Sequence, residues 1–517
     1  MKYLVSLLLL VLFATTAFGQ KIVFDIRAFK AVGDGKTMNT LAIQKAIDAA
    51  FVNGGGNVII PKGVFVTGAI ILKSNVDLTL EEGAVLQGSD KRSDYEKVPH
   101  PALIVAIGQH HFSIAGKGTI DGQGRSLIQD IDKRIKEGSL VSKDWATKFR
   151  SEENIRTNLF YFEACQNIKI TGVTCKDATS WVTHYERSKN IIIDSIRVES
   201  TAYWNNDGID IVDCKNVGIT NSFINAADDA ICLKSANRND YSDSIYVSNC
   251  TLRSSANAFK IGTGSVGGFK NITVRDLKIY DTYRSAIALE TVDGGFLENI
   301  DVQHVTATNT GNAIFIRLGH RNKDDVYSSV KNIYINDVKV EIPAGKPDAG
   351  YEMEGPLLMY PPDVKPIAGK FISVSPWNYK PQLKDAIVYP HNVFPSSITG
   401  LPNHAVENVT IENVAITYQT VADKSVNYCP LDSMHIITDA TKDYPEFSMF
   451  GELPVWGFYV RHVKGLTMKN ITISMQGKDF RNAILFNDVK QLAVKGVNIK
   501  GANVKPAIVY NDVVKAK

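Results

Sequence analysis

Four aspartates fall within one short stretch of this chain. The segment Asn205-Asn206-Asp207-Gly208-Ile209-Asp210 is followed by Asp228-Asp229. Carboxylates that share one patch repel each other, so at least one pKa rises and that group keeps its proton near neutral pH. A protonated carboxyl beside ionised ones can donate to a leaving glycosidic oxygen while a partner activates water from the opposite side. Inverting cleavage of this kind needs roughly 6.5–9.5 Å between the two groups. The same oxygen-rich cluster would also suit calcium and lyase chemistry, or simply cap turns.

Other reactive types surround the cluster. Lys234, Lys260, Arg284, Glu290 and Arg317 follow at intervals. A strip of cations beside carboxylates suits an anionic sugar. Trp181, His184 and Tyr185 precede the cluster, and Trp204 adjoins it. Aromatic rings along a groove can stack on sugars, and His184 can bond a carboxylate or the sugar. Trp456 to His462 is similar in kind but distant, and is open to a structural reading as well.

A repeat must position these residues. A polar residue, often Asn, followed by alternating β-branched residues recurs at 167, 190, 216, 244, 271, 299 and 332. The steps are 23, 26, 28, 27, 28 and 33 residues. A second register runs in step: Asp207 to Asp213, Asp229 to Ser235, Asn257 to Thr263, Ser285 to Thr291 and Asn312 to Leu318, with apolar third and fifth residues. Period-two alternation marks a strand with one dry face. Short strands in each repeat without intervening helices predict an all-β right-handed parallel β-helix, in which each turn pairs with the next. Asp207 and Asp229 then share one column on successive turns, about 4.8 Å apart. The recurring asparagines are expected to form an internal ladder or to satisfy turns.

The N-terminal part differs. Asn39 or Thr40 can cap a helix through Phe51, with Ile43, Ala46, Ile47 and Ala50 on one face, to close the end of the coil. Gly54 to Gly56 ends it, and Gly116 to Gly124 reads as a tight turn region. Residues 1–19 form a basic start, an apolar run and small residues before Gln20, which predicts a cleaved signal peptide and a secreted or periplasmic protein. Residues 20–517 read as one β-helix domain. Its spacing breaks near 343–405 and 419–455, as expected for long inserted loops that wall a groove. Net charge is only +3 without a basic block, which argues against nucleic acid. No later run is long and apolar enough to span a membrane. Six cysteines in 517 residues read as scattered buried thiols, and no metal or cofactor is expected. A monomer is expected.

The chain resembles glycoside hydrolase family 28, which includes polygalacturonases and rhamnogalacturonan hydrolases. The likeness begins at Phe29-Lys30-Ala31-Val32-Gly33-Asp34-Gly35 and runs through the helix, the coil and the aspartate motifs. It implies a pectin-lyase-like solenoid and an inverting mechanism. Asp228 is then the general acid, Asp207 and Asp229 activate water, and Asn205 supports the site. Asp210, His184, Trp181, Asn257, Lys260, Arg284, Glu290 and Arg317 are the candidate substrate-binding residues. Two family motifs are altered. Asn257 stands where the family carries histidine, and Ala288 and Glu290 stand where it carries an arginine and a lysine that grip a galacturonate carboxylate. Ordinary homogalacturonan therefore fits poorly. A branched or rhamnogalacturonan-type pectin of the plant cell wall, with a neutral sugar on one side of the bond, fits better. The long inserts suggest an exo-acting pocket. Alternatives are a pectate or rhamnogalacturonan lyase and a non-catalytic glycan-binding β-helix.

Overall fold

The computed structural model describes residues 21–145, 151–351, 359–360, 387–388, 391–424 and 429–516. The expected signal peptide lies outside the described residues, as does most of the first insert. No described helix is long and apolar enough to cross a membrane.

Among the described residues, thirty strands join into one continuous system of parallel ladders. Each strand pairs with its equivalent one turn away, as the repeat requires. The strand Ile209–Val212 pairs with Thr183–Glu186 before it and Ile231–Ser235 after it. Residues Ile209, Ile231, Phe259, Ile287 and Ile314 form one inward column, and Ile211, Leu233, Ile261, Leu289 and Ile316 form the next. All ten are fully buried. Burying each such side chain contributes about 1.5–3 kcal/mol, and no single turn could bury its own face. These inward columns fix the register. A slip of one residue would turn the aspartates into the core.

Helix α1, Thr40–Val52, covers the first turns and buries Ile43, Ala46, Ile47 and Ala50, the expected face. Asn39 precedes it but does not cap it through its side chain; that amide instead bonds both backbone groups of Val32. A second helix, α2, Gly124–Lys136, follows directly on the Gly116 to Gly124 turn region, and the strand repeat gave no sign of it. It buries Leu127, Ile128 and Ile131 against the coil.

The asparagine ladder lies outside the coil, which corrects the internal position considered for it. Asn167, Asn190, Asn216, Asn271, Asn299 and Asn332 all adopt left-handed backbone with φ of 56–59°. At such a turn the side chain points to solvent, where Asn190 donates to Asn167 at 2.9 Å and Asn216 to Asn190 at 3.1 Å. The six cysteines are all buried and unpaired, as expected.

The strand spacing breaks after Ser329–Ile342, and the coil resumes at Ser396–Thr399, earlier than the expected limit near 405. A second excursion separates Val406–Tyr418 from Val455–Met475. Phe394 from the first excursion and Phe447 from the second pack together against Tyr283 of the coil, beside Arg284.

Candidate active site

The outward face of the same strands carries the site. One outward column runs His184, Asp210, Cys232, Lys260, Ala288 and Phe315 on consecutive turns. At the mouth of these strands, backbone bonds from Gly208 to Asp229 and from Ala230 to Asn257 put Asp207, Asp229 and Asn257 in register. The stacked aspartates expected from the repeat are therefore brought together.

Each carboxylate has a distinct environment. Asp228 is half-buried; the backbone N–H of Asp229 donates to one of its oxygens at 3.0 Å, and the Asn205 amide approaches the other at 3.5 Å. Burial, then repulsion from Asp207 and Asp229, pushes the Asp228 carboxyl up to about 8. Burial also raises Asp207, against the pull of Lys234, whose ammonium lies 2.9 Å from it. Asp210 is fully buried and raised well above the usual range by desolvation, although Lys234 bonds it at 2.5 Å. Asp229 moves the other way. Burial opposes its ionisation, but Lys260, Lys234, Arg284 and the Asn257 hydrogen bond outweigh that and hold it below the usual carboxylate value. Lys260 lies 3.0 Å from Asp229, and Asn257 donates to it through both its backbone and its side-chain amide. One acid that keeps its proton thus stands beside one that stays ionised.

The cations are not a solvated strip, and this corrects the expectation of free charges facing an anionic sugar. Lys234 sits between Asp207 and Asp210, and Lys260 between Asp229 and Glu290. Arg284 is buried and lies 3.5 Å from Glu446 of the second excursion. Arg317 is turned away to bond the carbonyls of Gly400, Asp439 and Ala440, and desolvation lowers it to about 10. It pairs in register with Glu290 on the coil, and there it clamps the excursion, where a free cation was expected. The reason is common to all four: a charge held in a low-dielectric wall must find a partner nearby.

Asp207, Asp229 and Cys232 could offer three ligand atoms within 4.8 Å of one another. The Lys234 ammonium lies 3.0 Å from the Cys232 sulfur and bonds Asp207, so it already supplies positive charge to this group. The donor set fits a lysine-centred salt bridge better than a calcium cage, which wants six to eight oxygens.

Aromatic residues flank the cluster on the earlier turns. Trp181 meets His184 at 4.8 Å between ring centroids, and Lys234 lies 4.4 Å over the Trp181 ring. Tyr161 and His100 extend this patch; their rings stack at 3.9 Å. Tyr185 points inward and is buried in the core.

Several residues at the site carry no signal in the repeat. The fully buried Arg156 donates to the Asn205 side chain at 2.7 Å and to the Trp204 carbonyl, and so fixes the residue that approaches Asp228. Tyr444 and Glu446 reach the site from the second excursion, where the Lys260 ammonium meets the Tyr444 hydroxyl at 3.3 Å. His100 comes from a turn well before the aspartate motifs. Only the column register of Tyr161 with His184 could have pointed to that flank.

Comparison with known proteins agrees with this geometry. Residues 54–349 match the model of glycosyl hydrolases family 28. An exo-poly-alpha-D-galacturonosidase from Dickeya chrysanthemi is 28% identical over 296 residues, 48% of this chain and 49% of that protein. A probable polygalacturonase from Vitis vinifera is 27% identical over 56% of each chain. The chain thus spans about half the length of these curated relatives. A hyperthermoactive exopolygalacturonase from Thermotoga maritima superposes with a TM-score of 0.59 at 20% identity, over 87% of this chain and 91% of that one, a likeness of fold. With the family model covering more than half of its residues and the parallel β-helix in place, the chain belongs to glycosyl hydrolases family 28.

Proposed function

We propose that this chain is an inverting glycoside hydrolase that cleaves an α-glycosidic bond to galacturonic acid, or to an adjacent rhamnose, in a pectic polysaccharide. The observation that carries this reading is the split between Asp228, raised to about 8, and Asp229, held ionised. Asp228 protonates the leaving oxygen. Asp229 takes the proton of the attacking water, and Asp207 helps to hold that water. Asn205 orients the acid, and Asn257 orients the base. Asp207 and Asp210 share Lys234 and titrate as one unit. Trp181 and His184 line the groove on the earlier turns.

The substrate is a branched or rhamnogalacturonan-type pectin in preference to plain homogalacturonan. The altered Ala288 and Glu290 positions and the partnered cations support this reading. Phe394 and Phe447, from the two excursions, pack beside Arg284 on the later-turn side, which supports exo action. Residues 20–517 act as one catalytic unit, a monomer exported behind the N-terminal segment, without nucleic acid or membrane partners.

The test uses a panel of pectic polysaccharides and defined oligosaccharides. Asp228→Asn is expected to lower kcat on the best substrate by about 10²–10⁴-fold, the usual contribution of a general acid, with its circular dichroism unchanged. Normal turnover by that variant would overturn the reading. A lyase would instead release an unsaturated, ultraviolet-absorbing sugar, and a binding module would release nothing.

A further inference from the structure

On the later-turn side of the aspartates the site is rich in acids. Glu290 is 1% exposed, and neither of its carboxyl oxygens has a hydrogen-bond partner among the described residues. Such a group costs stability unless a ligand or water completes it. Its nearest cation, Lys260, is 4.0 Å away and lies closer to Asp229, at 3.0 Å. Glu290 and Asp229 are therefore within about 7 Å of each other. On the turn before Glu290 the register shifts at Gly262-Thr263-Gly264, so only Thr263 brings a side chain to this stretch of strand. A Cβ on Gly262 would fall 2.4 Å from the Glu290 carbonyl, so only bare backbone fits at this edge, the notch beside Glu290.

Glu446 closes the same side. It arrives from the second excursion, is 8% exposed, and neutralises Arg284. Its position is fixed by its neighbour Phe447, which packs on Tyr283 and Phe394. Arg284 is near enough for Asp228 and Asp229 to favour its charge. Around the notch Asp228, Asp229, Glu290 and Glu446 thus face Lys260, Arg284 and Arg321, and each is paired, Arg321 with Asp293 at 2.8 Å.

We infer that Glu290 and Glu446 act together as a filter that admits a neutral sugar to the later-turn subsite, Glu290 by bonding its hydroxyls and Glu446 by repelling a uronate. A sugar carboxylate in the notch would meet Glu446 and the aspartates, with each of these described cations already paired. A neutral sugar offers hydroxyls that complete the two open Glu290 oxygens. Burial raises the Glu290 carboxyl to about 8, so near neutral pH it both donates and accepts hydrogen bonds. Two acids on separate parts of the chain make the filter: one belongs to the coil, and the other is delivered by the insert. This inference rests on the hydrolase reading and specifies the substrate class of that site.

The experiment compares kcat/KM on two sets of pectic oligosaccharides that differ only in the sugar on the later-turn side, neutral in one and a uronate in the other. The wild type is expected to favour the neutral set by at least tenfold. Glu446→Gln frees Arg284 and is expected to shift the ratio toward the uronate set by about tenfold, through KM more than kcat. Glu290→Leu removes the hydroxyl partner and is expected to weaken the neutral set by about tenfold, again through KM, and the double variant shifts the ratio further. A wild-type preference for the uronate set, or ratios unchanged in folded variants, would overturn the filter. Competition of the wild type by free neutral sugar against free uronic acid gives a reading that needs no variant; stronger inhibition by the uronate would also overturn it. Failure to cleave either set would instead contradict the hydrolase reading itself.

Discussion

The two flanks of the aspartate cluster are built by different means. The earlier flank, with Tyr161, Trp181 and His184, comes from the strands of the coil and the turns that feed them. Tyr161 and His184 are paired in register on adjacent turns. Ring-on-ring contacts dominate it, with Lys234 over Trp181 and Glu186 beside His184 at its edge, and burial keeps His184 below its ordinary value, toward the neutral form. The later flank combines coil residues with Tyr444 and Glu446, which lie some 160–180 positions further along the chain. Its contacts are charge on charge in a buried setting. A repeat protein gains an apolar platform by simple stacking, but a tuned charge pattern here depends on an insert that breaks the repeat.

That difference can be probed by unequal damage. Lys260→Met should have the largest effect, because it leaves Asp229 and Glu290 buried without their shared cation. Removing one partner of a buried pair costs about 3–5 kcal/mol, which denaturant unfolding would detect, and the Asp229 base would lose its depressed pKa. A stability loss below about 1 kcal/mol, the level of an exposed pair, would mean that the later flank is better hydrated than its burial suggests.

The pH profile sharpens the comparison next. Asp228 must hold its proton to act, and its pKa is raised to about 8. kcat/KM should therefore fall about tenfold per pH unit above that value. Asp229 is held below the usual carboxylate range, so on the acid side its loss should come only at low pH. An alkaline limb near pH 5 would show that the neighbouring aspartates do not raise Asp228 as described.

The smallest effect is expected on the earlier flank. Trp181→Ala should raise KM more than it lowers kcat, by a contribution of about 0.5–1.5 kcal/mol, typical of one aromatic pair. A loss in kcat as large as that of Asp228→Asn would instead make Trp181 part of the reacting machinery, and the two flanks would no longer differ in kind.

The sequence made the coil legible because period-two alternation and a repeat of 23 to 28 residues leave few other ways to bury the apolar positions. It also made the stacking of Asp207, Asp229 and Asn257 legible, since equivalent positions of successive turns must adjoin. The asparagine ladder was half legible: the repetition is plain, but its outward direction depends on a left-handed backbone that Asn tolerates without announcing. Arg317 shows the limit of column reasoning. A column places a side chain on the outer face, yet what covers that face is decided by the excursion that lands on it. Arg156, Tyr444 and Glu446 lie outside the repeat, so nothing local marked them. Helix α2 interrupts the strand repeat, and its short apolar spacing, Leu127, Ile128 and Ile131, does not stand out against the period-two alternation around it.

The most direct measurement is the anomeric form of the first product, followed by nuclear magnetic resonance while a pectic oligosaccharide is being cleaved. Direct attack of water opposite the leaving oxygen requires that an α-linked substrate first releases the β-anomer, with the α-form appearing only as the free sugar equilibrates. First release of the α-anomer, or of an unsaturated sugar, would contradict an inverting hydrolysis carried by Asp228 and Asp229.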